Sequence, residues 1–403
     1  MAFYANRFKQ LLANLHNYKN QTIESKGLGS KFKLTSDPKT IAELYSNPAY
    51  TRSRLSRRMV EHDGAYGAAV SQDDDRAAVK RSITAKHLNN QVYRDIASTA
   101  WTKLAQQMDS TTDEFDILNC IKLSLHYGFL EHYLGVNLIG TDLEVGVNQR
   151  NFTKSGYEES FEKLFILNYF PLPLWIRNIF SPRLRAKNKK FAELAEYIYS
   201  DATAKPGSLL ESLKAHETRG ILSHDEVLGE IRAAIIGANT LAVSLMWSIY
   251  TVGSEHTQHI THVLGSDAYS RYAYMETLRL YPPFHMLTYE AASKCPFHFN
   301  KNPTVIVGVA QTHRSPVNWE NPEEFKPTRF AKGLSNITKG SYIPFGGGAR
   351  SCSGAAASMH VGPSLLRKLF TNYQFTKIVQ PVVKRRIELT TENSKFFVQV
   401  SKL

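Results

Sequence analysis

Cysteine is scarce in this chain, with three copies in 403 residues. Cys120, Cys295 and Cys352 are odd in number and far apart, which excludes a disulfide framework and suits a reducing cytosol. The short-spaced Cys/His ligands of a zinc site are missing as well. No block of Lys and Arg interleaved with aromatics occurs, and no nucleic-acid motif, although 49 Lys and Arg face 36 Asp and Glu for a net charge of +13. The excess is spread along the chain. It reads as a solvated basic surface or as a docking face for an acidic protein, without nucleic acid as partner. Internal repeats, low-complexity tracts and a linker that would split the chain are also absent, so residues 1–403 are expected to form a single domain. The first twenty residues break their apolar positions with Arg7, Lys9, His16 and Lys19; they read as a short amphipathic helix, neither a signal peptide nor an anchor.

What is present is apolar and mostly helical. Hydrophobic residues make up 42%, a normal globular share, and 20 Tyr with 21 Phe suit a filled core or a wide apolar cavity. The stretch 161–200 predicts two helices around a break holding Pro171, Pro173 and Pro182. That break, at 169–180, is rich in Phe, Leu, Trp and Ile; a lid, a membrane-surface anchor and plain core all fit it. Ser223 and Glu226 have capping-box spacing and open a long apolar stretch over about 224–252. Arg232, Asn239, Thr240 and Ser244 interrupt it, which favours a buried helix over a membrane span, and no integral membrane segment is expected. A helix over about 268–281 is stopped by Pro282 and Pro283, and "TVIVGVA" alternates like a strand. A further helix follows 354, with Pro363 as its kink, and the C-terminus reads as short strands.

Two local patterns carry chemistry. Glu276 and Arg279 lie three apart on one helix face among Tyr274, Met275, Leu278 and Leu280, so the pair is a candidate for burial. A buried pair needs a third hydrogen-bonding group, for which Arg329 in "KPTRF" is the candidate. The second pattern is "FGGGARSCSG", 345–354. Glycines 346 to 348 permit turns closed to other residues and a close approach to a flat ligand. Arg350 offers a rigid fork for a carboxylate. Cys352 precedes a helix N-terminus, where a thiolate is favoured. Such a thiolate can be a nucleophile, a redox thiol or a metal ligand; one thiolate beside a carboxylate-binding arginine suits haem iron best, because haem brings its own four nitrogens and two propionates.

Taken together these residues resemble the cytochrome P450 family. Phe345, Gly348, Arg350, Cys352 and Gly354 complete its haem-ligand loop pattern; Glu276 and Arg279 match its E-x-x-R helix. Pro327, Thr328, Arg329 and Phe330 resemble its P-E-R-F landmark, with Thr in the Glu place, and Gly237 with Thr240 resemble its oxygen-binding helix. The resemblance implies a mainly α fold with a small β region. It implies haem b with Cys352 as axial iron ligand, its electron donation favouring O–O cleavage. It makes Phe345, Gly346 and Gly354 haem-contacting residues, Arg350 a propionate ligand, and Glu276, Arg279 and Arg329 a structural network. Arg76 and Lys80, with Arg81 adjacent, fall where the family places further propionate-binding cations. Ile235, Ile236, Phe284, His285, Met286 and Leu287 fall where it lines its substrate pocket.

Two positions depart from the pattern. Asn239 stands where an acid is usual beside Thr240, so the proton supply for oxygen splitting differs: Thr240 can position a water, whereas Asn239 can orient waters but cannot ionise. Tyr289 stands where an arginine for a propionate is usual. The expected function is insertion of one oxygen atom into a small, largely apolar substrate such as a natural product, in a soluble, cytoplasmic, monomeric bacterial-type enzyme. Its NAD(P)H electrons would arrive through a ferredoxin or flavodoxin and its reductase; His360, Arg367 and Lys368 are candidates for that docking face. The alternative, motivated by Asn239, is oxidative coupling or peroxide-driven oxidation without net oxygen insertion. Arg232 is expected at the surface or on an anionic substrate group.

Overall fold

The computed structural model describes residues 22–27, 30–72, 74–111, 113–136, 172–201, 203–291, 304–381 and 395–403. The amphipathic helix expected at the N-terminus, Cys295 and the first helix of the proline-broken pair lie outside them. In chain order the elements are β1 (Thr22–Gly27), β2 (Ser30–Thr35), α1 (Pro38–Ser46), β3 (Tyr50–Arg52), α2 (Arg54–Val60), α3 (Asp74–Ala85) and α4 (Asn90–Asp109). There follow β4 (Phe115–Asp116), α5 (Ile117–Gly128), α6 (Leu174–Ile179), α7 (Pro182–Asp201), α8 (Leu209–Thr218) and α9 (His224–Tyr250). The last are α10 (Ile260–Gly265), α11 (Asp267–Leu280), β5 (Met286–Ala291), β6 (Thr304–Gly308), α12 (Val309–His313), α13 (Ala355–Asn372), β7 (Tyr373–Ile378) and β8 (Phe397–Lys402). The fold is mainly α with a small β region, as expected.

One sheet has the order β1-β2-β6-β5-β3, with β2 and β6 parallel and the other pairs antiparallel; a second has the order β4-β8-β7. β6 sits mid-sheet and is buried along its whole length, which explains why its sequence is apolar at nearly every position. Thr51 faces Glu290, and the neighbouring Arg52 faces Tyr289, across β3 and β5.

α9 is the axis of the helical part. Ser223 accepts from the Glu226 amide while the Glu226 carboxylate accepts from the Ser223 amide, completing the capping box. The helix is long and apolar enough to cross a membrane by length and composition, yet 78% of its apolar window is buried inside the protein. It packs against α5, α7, α11 and α13 in one large core. Gly229 makes this packing tight: a Cβ there would sit 2.3 Å from the Ala68 nitrogen. The break at 169–180 is not core where it is described, since Trp175, Ile179 and Phe180 are 64%, 57% and 54% exposed.

Candidate haem-thiolate site

Phe345 to Gly354 form a tight loop ahead of α13. The Cys352 amide donates to the Phe345 carbonyl at 2.9 Å, and Gly346 and Gly348 both take φ of +66°, a region that favours glycine. Gly354 caps α13, and the amides of Gly354 and Ala355 point at the Cys352 sulfur. Burial raises the thiol's pKa, while these two amides and the charges of Arg52 and Arg81 pull it back. The Cys352 side chain lies deep in the protein and faces open space there. Phe345 packs on the main core.

The triple glycine has a different cause from the one its sequence suggests. A Cβ on Gly347 would lie 2.1 Å from the Tyr45 ring, and one on Gly348 would lie 2.6 Å from the Tyr45 carbonyl. The close approach at these two positions is therefore to α1. Gly346 faces Leu287 and Tyr289 instead.

Behind the loop, Glu276 and Arg279 are fully buried and joined by two hydrogen bonds of 2.8 Å. The remaining Arg279 donors reach the carbonyls of His313, Pro322 and Glu324 at 2.8, 2.6 and 3.1 Å. Arg329 closes on Glu276 at 3.2 Å, and the Lys326 amide adds a bond of 2.9 Å. Every donor of the buried guanidinium thus has an acceptor, the condition under which a buried pair is tolerated.

Along α9, Ala233, Ile236 and Thr240 are half-buried and Gly237 is exposed, so one helix face is open. A Cβ on Gly237 would meet nothing within 4 Å. Thr240 donates to the Ile236 carbonyl at 3.1 Å. Ile235 is buried in the core, off the open face where a pocket residue was expected; Ile236 lies on it. Of the other expected pocket residues, Phe284, His285 and Leu287 are half-buried and Met286 is buried. Asn239 is buried too, and its side-chain oxygen lies 3.0 Å from Nε2 of His126 on α5. Sequence reading missed His126, which is 113 positions away and carries no motif.

Arg76 and Lys80 are bonded to the N-terminus of α9. Arg76 donates to both carboxylate oxygens of Glu226 and to the Ile221 carbonyl. Lys80, fully buried, reaches the Gly67 carbonyl at 2.6 Å, Gln72, and Glu226 at 3.3 Å. Their spacing of four puts both on one face of α3, and the N-terminus of α9 supplies the carboxylate they share. Arg232 is buried rather than at the surface, donating to the Tyr66 carbonyl at 2.7 Å. Glu230 accepts from the Ala69 amide at 2.7 Å, and burial raises its pKa. Arg350 donates to the carbonyls of Ala69 and Gln72 at 3.3 and 3.0 Å. The segment 66–72 is thus tied down by Lys80, Glu230, Arg232 and Arg350.

These features make a haem-thiolate type of site: a cysteine on a loop that opens α13, a buried ion network that ties α11 to residues 313–329, and a long helix with one open face. Residues fit for haem are present, because Cys352 is accessible, receives two amides and lies within the field of two arginines.

Residues 268–400 match the family model described as Cytochrome P450. The chain is 27% identical over 212 residues to cyclooctatin synthase of Streptomyces melanosporofaciens, covering 47% of this chain and 46% of that protein. It is 35% identical over 109 residues to dimethylnonatriene synthase of Arabidopsis thaliana, covering 26% and 21%. The matched stretches therefore span less than half of these curated relatives. Among solved structures, a mutant of cytochrome P450SP alpha superposes with a TM-score of 0.73 at 15% identity, covering 99% of this chain and 96% of that one. A six-coordinated cytochrome P450 of Thermus thermophilus gives a TM-score of 0.70 at 19% identity, covering 96% and 98%. Residues 268–400 thus match the cytochrome P450 model, and the fold of nearly the whole chain is that of these solved cytochromes P450.

Proposed function

We propose that this protein, folded as one domain, is a haem-dependent monooxygenase that inserts one oxygen atom into a small, largely apolar substrate, a natural product being the chemical class we favour. The observation that carries the reading is the Cys352 sulfur, held at the start of α13 with the amides of Gly354 and Ala355 directed at it and α13 packed on α9. Haem bound there would supply iron for reductive oxygen activation. Cys352 is its ligand, and Phe345, Gly346 and Gly354 line the loop side. Arg350 braces the loop against 66–72 and adds positive charge near Tyr289. Glu276, Arg279 and Arg329 hold the loop's support rigid. Thr240, on the open face of α9, is placed to position a water near Gly237; Ile236 and half-buried Phe284, His285 and Leu287 would contact substrate.

Asn239 is committed to His126, so its amide is a structural partner of α5 before it is an orienter of water. That favours proton delivery through solvent at Thr240. It also keeps a second reading open, in which substrate protons replace the acid and the product is coupled or desaturated.

Electrons from NAD(P)H would arrive through a ferredoxin or flavodoxin with its reductase. A groove of about 670 Å³ between α4, α11 and α13 is lined by Arg94, Arg271, His360, Arg367 and Lys368, with Asp267 as its single carboxylate. An acidic partner suits it. We read the enzyme as soluble, cytoplasmic and monomeric; the burial of α9 supports only the first of these.

The test is spectral and then chemical. The reduced, carbon-monoxide-treated protein should show the thiolate-ligand signature, and Cys352→Ala should abolish it. With substrate and partner, a mass gain of one oxygen supports insertion, and loss of two hydrogens supports coupling or desaturation. Absence of the thiolate signature in the parent protein would sink the reading.

A further inference from the structure

Tyr289 leaves one side of the site without the arginine that P450 patterns usually carry there. The sheet provides another. Arg52 on β3 is the direct antiparallel partner of Tyr289 on β5. Residues opposite each other in such a pair project from the same face of the sheet. On that face Tyr289 points toward the cysteine loop, its hydroxyl lying 3.4 Å from where a Cβ on Gly346 would be. β3 itself touches the turn Gly348–Arg350. Arg52 therefore shares its sheet face with the residue that meets the loop.

Arg52 is half-buried, and among the described residues its side chain has neither a hydrogen bond nor an ion pair. The carboxylate nearest along β5, Glu290, alternates to the other face and is taken by Arg54 at 3.5 Å and Arg57 at 3.8 Å. The Tyr45 and Tyr289 hydroxyls lie within the field of Arg52, and a phenol is not an anionic partner at neutral pH. A half-buried guanidinium with no counter-ion costs desolvation that a carboxylate would offset.

We propose that Arg52 is a haem-carboxylate anchor, taking over from β3 the role that position 289 does not fill on β5. The proposal rests on the haem reading above. Arg52 is a cofactor-positioning residue; the Tyr289 hydroxyl, next to it, can donate to the same carboxylate.

The experiment compares haem release from the loaded parent and from Arg52→Gln, followed by transfer to excess apomyoglobin. It uses ordinary haem and, in parallel, haem whose propionates are methyl esters. With ordinary haem the variant should release about tenfold faster or more, as for loss of a charged hydrogen bond. With the ester the two proteins should release at the same rate. Equal rates with ordinary haem would overturn the proposal. So would equal acceleration with both haems, because the effect would then be structural and independent of the carboxylate. If Arg52→Gln does not fold, Arg52→Lys carries the same comparison, since it keeps the charge and loses the fork. Failure of the parent itself to take up haem would instead strike the underlying reading, which the first measurement shows directly.

Discussion

Glu226→Gln tests the reassignment of Arg76 and Lys80 from the haem to the N-terminus of α9. Burial tends to raise the pKa of Glu226, but the Arg76 bond, the Ser223 amide and Lys80 outweigh it and bring the carboxyl from 4.5 to about 2. Taken at face value that interval corresponds to roughly 3 kcal/mol. Arg76 is 42% exposed, so solvent screens its share and about 2 kcal/mol is the better figure. Lys80 is fully buried and loses its hydrogen-bonded carboxylate in the variant, which keeps the cost above that of a surface pair. Because the folded pKa lies below the unfolded one, this stability is present in full above about pH 4.5. It is lost as pH falls toward 2. Urea unfolding of the haem-loaded proteins should show the variant about 2 kcal/mol less stable at pH 7, and less than half as much at pH 3. Haem release should be unchanged, and likewise for Arg76→Gln. An equal deficit at both pH values would refute the electrostatic account. Faster haem release from Arg76→Gln, matching that of Arg52→Gln, would return Arg76 to the haem.

Three further outcomes follow from named contacts. Glu276→Gln leaves Arg279 buried and short of its counter-charge and should cost about 3–5 kcal/mol in urea unfolding; a loss below about 1 kcal/mol, the level of a surface pair, would contradict the burial of the pair. Gly347→Ala drives a methyl into the Tyr45 ring and should lower stability by about 1–3 kcal/mol, with Tyr45→Leu in the same chain recovering part of it. No recovery would place the clash elsewhere. Lys368→Glu reverses a charge in the groove lined by Arg94 and Arg367, and should slow reduction by an acidic ferredoxin and weaken its salt dependence without altering the carbon monoxide spectrum. Unchanged reduction kinetics would move the docking face off this groove.

The parts of the site that were legible in the sequence are those whose partners lie close in the chain or in a fixed order. Glu276 and Arg279 are three apart on α11, and Cys352 is seven from Phe345, so spacing alone brings them together. The capping box at Ser223 was legible for the same reason. What was not legible depends on which elements the topology sets side by side. Glu226 is 150 positions from Arg76 and Asn239 is 113 from His126. His126 carries no motif, and the capping box that marks Glu226 does not point to Arg76. Arg52 is invisible as a site residue until β3 is seen beside β5, because only the register pairs it with Tyr289.

α9 shows what else the cations of α3 hold. In the P450 pattern this helix is a wall for oxygen and substrate. Its first three turns instead carry Glu226, Glu230 and Arg232, all buried. They hold α3 and the segment 66–72 through Arg76, Lys80, the Ala69 amide and the Tyr66 carbonyl. Arg350 grips the same segment from the cysteine loop. One short loop thus joins the start of α9 to the thiolate side of the site, and the basic residues of α3 serve that junction. Off that junction, Arg52, across the sheet from Tyr289, and Arg81, on the neighbouring side of α3, are cations whose charge reaches Cys352.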